Sequence, residues 1–330
     1  MRPRLSAGTR KVASVGKADC MAFSPILTLM HKRKVMANTQ STSRLSVLKT
    51  YKLYIGGQFP RTESGRYYVV KNSAGKSIAN ACLSSRKDLR DAVSAARAAF
   101  GGWSGRTAYN RGQILYRMAE VMESRRTEFT DELLHTGSTL REAKKEVDAC
   151  IDTLIHYAGW CDKYQQLFSA VNPVASSHFN FSVPEPTGVV GIIASQTNAL
   201  MGLIQTMAPA LAGGNTCVIV ANSENPLASI TLAEALATSD LPGGVVNILT
   251  GKVAELLPWM SGHYDVNALV LDPLSDATLK STEQEATTNL KRVIRSKTAD
   301  PLSPYRILDL QEIKTTWHPI ENIAGSGAAY

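Results

Sequence analysis

No run of eighteen or more apolar residues occurs in this chain, so nothing in it reads as a helix that crosses a bilayer. Glycine, proline and glutamine are not in excess and charged residues are only 19%, against 44% hydrophobic. That balance excludes collagen-like, coiled-coil and disordered chains and leaves a globular one. Cysteine is scarce. The five thiols, Cys20, Cys82, Cys150, Cys161 and Cys217, are odd in number and show neither CxxC nor Cys/His ligand spacing. A disulfide framework and a zinc site are both disfavoured, no metal is expected, and a reducing compartment fits. Each thiol reads first as a small buried hydrophobe.

The first fifty residues lack acid. They hold ten Lys/Arg and the single carboxylate Asp19, whereas the other 280 residues hold 26 basic and 27 acidic groups. The net charge of +8 therefore belongs to the leader and the remainder is close to neutral. An Arg-, Lys- and Ser-rich, acid-poor start reads as a mitochondrial transit peptide or as an extension from a start set too early, with Met21, Met30 and Met36 as later starts. The leader has no interleaved aromatics and no long basic amphipathic helix, so neither nucleic acid nor membrane is an expected partner. The expected location is cytoplasmic, or the mitochondrial matrix where residues 1–50 act as a transit peptide.

At 330 residues the prior is one large domain or two ordinary ones. Regular patterning begins at Tyr51. Tyr51–Phe59 reads as a strand with a turn at Gly56-Gly57, and Ser85 with Asp88 forms a capping box. Leu89, Ala92, Val93, Ala96 and Phe100 follow at helical spacing. A second helix carries Ile114, Leu115, Met118 and Met122, and a third starts near Thr139.

Gly188–Ala194 (GVVGIIA) is apolar throughout, which marks a strand buried on both faces. Helix Leu200–Leu211, strand Thr216–Val220, helix Leu227–Thr238, strand Val245–Leu249, helix Val253–Met260 and strand Ala268–Leu271 follow in turn. Strand–helix alternation predicts an α/β fold with a doubly wound, Rossmann-like parallel sheet. Phe179–Val183 predicts an arm strand and Ile307–Trp317 a β-rich segment. Lys280–Asp300 reads as a polar, partly helical bridge, and the terminal GSGAAY as a loose end.

In order, Tyr54–Phe59 (YIGGQF), Ala95–Trp103 (AARAAFGGW) with Arg111, His135–Asp148 (HTGSTLREAKKEVD) and Glu185–Ala194 (EPTGVVGIIA) resemble an aldehyde dehydrogenase. The resemblance continues through Ala208–Ile219 (APALAGGNTCVI), Leu241–Gly251 (LPGGVVNILTG) and His263–Leu269 (HYDVNAL). It covers about Tyr51 to Leu271, and Ile313–Trp317 (IKTTW) is similar to the family's closing oligomerisation strand. The resemblance implies a coenzyme-type domain over 51–295 with an arm strand in 168–184, and an oligomerisation strand and tail over 296–330.

The family's chemistry uses a cysteine nucleophile, a Glu in a Glu-Leu-Gly-Gly setting, an oxyanion Asn and NAD. Downstream of Leu271 this sequence has neither a cysteine nor that Glu motif, so the catalytic domain is expected to be absent. The oxyanion Asn position falls on Thr197, with Asn198 one residue on. The implied cofactor contacts are Ile193, Ala194, Ser195, Val220, Ser223 and Gly251. Val220 stands where the family has a ribose-binding Lys, Ser223 where it has an acid, and Val253 where it has a second turn glycine. The phosphate helix begins with Leu271-Asp272-Pro273-Leu274 in place of Phe-Thr-Gly-Ser, bringing acid and losing an N–H where phosphate would sit.

At about 1 kcal/mol per lost polar contact, the expectation is no cofactor, or NAD bound weakly. The chain is then a non-catalytic structural or regulatory subunit, a pseudoenzyme whose partner is itself or an intact aldehyde dehydrogenase. The alternative is a weak or altered NAD-dependent oxidoreductase acting on an aldehyde, with Cys150, Cys161 or Cys217 as nucleophile.

Overall fold

The computed structural model describes residues 47–296 and 300–320, so most of the basic leader, Cys20 and the terminal GSGAAY lie outside the described residues. A small sheet opens the fold: β1 (Thr50–Tyr51), β2 (Tyr67–Lys71) and β3 (Ser77–Cys82), in the order β1-β3-β2. Between β1 and β2, Ile55 and Gln58 exchange both backbone hydrogen bonds at 3.0 Å across Gly56-Gly57. The two glycines sit at φ +61° and +81°, the type I′ geometry that side chains resist.

Five helices follow: α1 (Arg86–Ser104), α2 (Ala108–Ser124), α3 (Arg126–Leu134), α4 (Leu140–Trp160) and α5 (Tyr164–Phe168). Capping boxes fix two of their starts, Ser85 with Asp88 and Thr139 with Glu142, each cap stabilising its helix by about 1 kcal/mol. The helical stripes point inward. Leu89, Ala92, Val93, Ala96, Ile114, Leu115, Met118 and Met122 are buried, and Phe100 is half-buried. Trp103 is fully buried and its indole donates to the Leu211 carbonyl at 3.3 Å.

The main sheet is built from β6 to β10, after the arm strands β4 (Ala170–Asn172) and β5 (His178–Pro186). In order come β6 (Val189–Ile193), α6 (Met201–Ala212), β7 (Thr216–Val220), α7 (Leu227–Leu236), β8 (Val246–Leu249) and α8 (Val253–Ser261). Then come β9 (Ala268–Leu271), α9 (Asp276–Ala286), β10 (Arg292–Arg295), α10 (Tyr305–Leu308) and β11 (Gln311–Pro319). All pairs in this sheet are parallel and the order is β10-β9-β6-β7-β8.

Alternation along the strands divides the core in two. Val190, Ile192, Cys217 and Ile219 pack with α2, α4, α6 and α7, while Val189, Ile193, Val218 and Val220 pack with α1 and α8. The result is an α/β fold with a doubly wound sheet between helical layers.

The structure departs from the sequence reading in four places. The bridge Lys280–Asp300 contains the end of α9, a short helical turn at Thr287–Asn289 and then β10, the fifth strand of the sheet. The β-rich segment begins at Gln311, since Ile307 and Leu308 belong to α10 and Ile307 is buried under the arm. Helix α3 was not expected at all: only Phe129, Thr130 and Leu133 are buried on it, too few for a readable stripe. The arm strand is longer than its pattern suggested, because β11 pairs antiparallel along all of β5, from Gln311↔Pro186 to Pro319↔His178.

Candidate cofactor crevice

The chain runs β6, β7, β8 toward one edge of the sheet and returns to lay β9 and β10 on the other side of β6. Strand order therefore reverses between β6 and β9. In open α/β sheets the crevice at the carboxyl ends of such a pair is where ligands bind.

Here the crevice is crossed by the protein's own groups. The Gln196 backbone N–H donates to Asp272 Oδ2 at 3.1 Å, tying the loop after β6 to the loop after β9. The Gln196 side-chain amide donates to the Ala194 carbonyl at 2.8 Å and accepts from the Ser223 N–H at 3.1 Å, reaching the end of β7 as well. One residue thus joins three strand ends. Asn222 reinforces the loop: its amide donates to the Ser195 carbonyl at 3.0 Å, and its oxygen accepts from the N–H groups of Glu224 and Asn225.

Ser195 turns the chain from β6 toward α6. Its hydroxyl oxygen accepts from the N–H groups of Thr197 (3.2 Å) and Asn198 (3.4 Å) and lies 3.0 Å from the Thr197 hydroxyl. Gly202 makes this turn possible, because a Cβ there would collide with Ser195. Helix α6 has no side-chain cap of its own; instead the Met201 N–H donates to Glu146 Oε1 of α4 at 3.0 Å. An internal carboxylate thereby holds the positive end of the helix that faces the crevice. At α9, Ser275 caps by accepting from the Thr278 N–H, and Asp276 lies in the first turn.

The residues singled out from sequence fall into three groups. Ile193, Ala194 and Val220 are core residues at strand ends, so only their backbone reaches the crevice. Ser195, Ser223 and Thr197 are in the crevice loops and hydrogen-bonded there, while Asn198 is exposed beyond the Ser195 turn. Gly251 sits apart from Gln196 and Asp272, at φ +150° in the turn from β8 to α8, packed against Ser84. Sequence reasoning missed Gln196 as the clasp and Glu146 as the helix cap. The only available signal for Glu146 was its place in the HTGSTLREAKKEVD phrase.

The thiols are inert by burial. Cys150 lies inside α4, Cys161 ends it and Cys217 lies in β7; desolvation raises Cys150 and Cys217 well above the ordinary thiol range and pushes Cys161 up to about 12. None offers a thiolate near neutral pH, and a buried thiol is a poor nucleophile. Among the described residues no group of three or more His, Cys, Asp and Glu side chains is arranged to hold a metal ion. His156 Nε2 lies 2.7 Å from the Leu302 carbonyl, and His263 Nδ1 accepts from the Asp265 N–H at 3.2 Å. Both are structural contacts.

The aldehyde dehydrogenase family model matches residues 59–296. The chain belongs to the aldehyde dehydrogenase family. It is 33% identical over 260 residues to mouse cytosolic 10-formyltetrahydrofolate dehydrogenase, an alignment covering 77% of this chain and 29% of that one. The fold superposes on the NAD+ complex of an aldehyde dehydrogenase from Bacillus cereus with a TM-score of 0.71 at 28% identity, covering 75% of this chain and 50% of that one. It superposes equally on PnpE from Pseudomonas sp. WBC-3, with a TM-score of 0.71 at 30% identity, covering 74% and 50%. The chain thus spans about half the length of these solved relatives, and its sheet has the fold of an NAD-binding oxidoreductase.

Proposed function

We propose that this chain is a non-catalytic member of the aldehyde dehydrogenase family, acting as a structural or regulatory subunit that assembles with itself or with an intact aldehyde dehydrogenase. The observation that carries the reading is the Gln196–Asp272 clasp across the switch point. A dinucleotide pyrophosphate needs free N–H groups and positive potential there. The clasp and the α6 start instead present Asp272 and Glu146 to N–H groups, and Pro273 has no N–H to give. The residues present do not fit the cofactor.

The strand that follows β9 supports the same reading. It is Arg292–Arg295, followed by Ser296, and carries no Glu-Leu-Gly-Gly phrase. The four described cysteines are buried, and burial raises Cys150, Cys161 and Cys217 above the ordinary thiol range, which disfavours a thioester at any of those three. The arm is kept in full, with β11 laid along the whole of β5.

Two assays test this. Purified chain mixed with an intact aldehyde dehydrogenase is run on size exclusion with light scattering, and NADH formation is followed with a panel of aldehydes. A stable higher-mass species with no NADH from the chain alone is the expected pair of results. A lone monomer indifferent to the partner, or turnover lost on Cys217→Ser, contradicts the reading.

A further inference from the structure

Helix α4 holds Met201, the first residue of α6, at two points. Glu146 Oε1 accepts the Met201 backbone N–H at 3.0 Å, and the Cys150 thiol donates to Met201 Sδ with the two sulfurs 3.8 Å apart. Glu146 and Cys150 are four residues apart, so they stand on one face of α4, one turn after the other. Cys150 is fully buried; its burial, with the Glu146 charge adding to it, raises its pKa well above the ordinary thiol range and keeps the S–H proton in place.

The two sulfurs differ in reactivity. A thiol must lose its proton to react, and this one keeps it. A thioether has no proton to lose and reacts with peroxide as it stands. Met201 is half-buried, whereas Met118, Met122, Met207 and Met260, the other methionines among the described residues, are at most 1% exposed. Of these five thioethers, Met201 is the one that an oxidant in solvent meets first. A thioether sulfur is only a weak acceptor, so an oxygen added to it gives the Cys150 S–H a better partner than it has now.

From this geometry we propose that Met201 is a reversible oxidation site that controls the start of α6. A lone pair on Sδ takes one oxygen of a hydroperoxide and the O–O bond breaks. The other oxygen leaves as an alcohol, or as water from hydrogen peroxide, carrying the proton of the O–H. Sulfur is oxidised by two electrons and the peroxide is reduced. A reductase dithiol reverses the step, becoming a disulfide while the oxygen departs as water. The new oxygen accepts from Cys150. Two sulfurs already in contact leave no room for it, and Cys150 is fixed inside α4, so Met201 moves outward and its N–H leaves Glu146. The helix that faces the crevice then loses its cap. The proposal rests on α4 and α6 alone and holds whether or not the crevice binds a dinucleotide.

The test treats the full chain with hydrogen peroxide and maps added oxygen by mass spectrometry of its peptides. Met201 is expected to be oxidised roughly tenfold faster than Met118, Met122, Met207 and Met260, and to be restored by methionine sulfoxide reductase. The infrared S–H stretch that Cys150→Ala abolishes is expected to move to lower frequency on oxidation, which a merely exposed methionine would not cause. Hydrogen exchange at the Met201 amide is expected to speed about tenfold after peroxide. In Met201→Leu, which keeps the apolar contact, the same amide is expected to be unmoved by peroxide. Glu146→Ala is expected to exchange fast from the start and to gain nothing further. Oxidation of Met201 no faster than that of the four buried methionines overturns the site. A sulfoxide that leaves both the S–H band and the Met201 amide unchanged overturns its control of α6.

Discussion

The Gln196 backbone N–H donates to the Asp272 carboxylate at 3.1 Å, across the point where the strand order of the sheet reverses. A carboxylate there holds a backbone donor and sets negative charge in the crevice at once. Asp272→Asn keeps an acceptor and removes the charge. It is expected to give a saturable NAD+ isotherm below about 1 mM where the wild type gives none, a gain of about 1.4 kcal/mol or more, measured by calorimetric titration. An unchanged or weaker affinity would show that the charge is not what opposes the cofactor.

Glu146 caps a helix on which it does not reside. Removing it in Glu146→Ala leaves the Met201 N–H without its 3.0 Å partner and the α6 dipole without its anion. The expected loss is about 1–2 kcal/mol in denaturant unfolding, with the m-value unchanged.

The thiols should stay silent in the native state. In a Cys20→Ser background the four remaining cysteines are all buried, and Cys161 is pushed up to about 12. Labelling with a maleimide at pH 8 is expected to be slow in buffer and to reach four thiols per chain in guanidinium. Rapid labelling of one thiol in buffer would identify an accessible site that this structure does not contain.

His263 gives a pH dependence of known sign. Burial lowers its pKa first of all; Lys291 and Arg97 act in the same direction, and Asp265 opposes them. Its ring also accepts at Nδ1 from the Asp265 N–H, which requires that nitrogen to be unprotonated. The unfolded chain therefore takes up a proton at higher pH than the folded one. Stability is present above the ordinary histidine range and is lost as pH falls through the lowered folded value. His263→Gln should flatten the stability curve below about pH 6.5, checked by urea unfolding at a series of pH values.

Much of this fold was legible in the residues. Continuous apolar runs such as Gly188–Ala194 and the two capping boxes report local requirements, and local requirements survive in sequence. Strand β10 escaped because Arg-Val-Ile-Arg is short, charged at both ends and on the sheet edge, so its two apolar residues do not stand out from the polar segment around them. Helix α10 escaped because a single turn over Tyr305–Leu308 is too short to show a helical period, and its Ile307 and Leu308 run on toward the strand residues that follow.

The crevice was legible in part. Thr197, Ser223 and Asp272, singled out by their place in phrases that resemble the family, lie in the crevice loops, and Val220 lies at the end of β7. The clasp was not legible, since Gln196 matters only once the ends of β6, β7 and β9 are side by side. The same holds for Glu146, which meets Met201 through the packing of α4 on α6.

The most direct measurement is a calorimetric titration of the purified full chain with NAD+ and, separately, NADP+. With Asp272 bonded across the switch point and Glu146 holding the α6 start, the account predicts no saturable heat up to about 1 mM, an affinity weaker than roughly −4 kcal/mol. A saturable isotherm with a dissociation constant in the micromolar range, at about one site per chain, would contradict it.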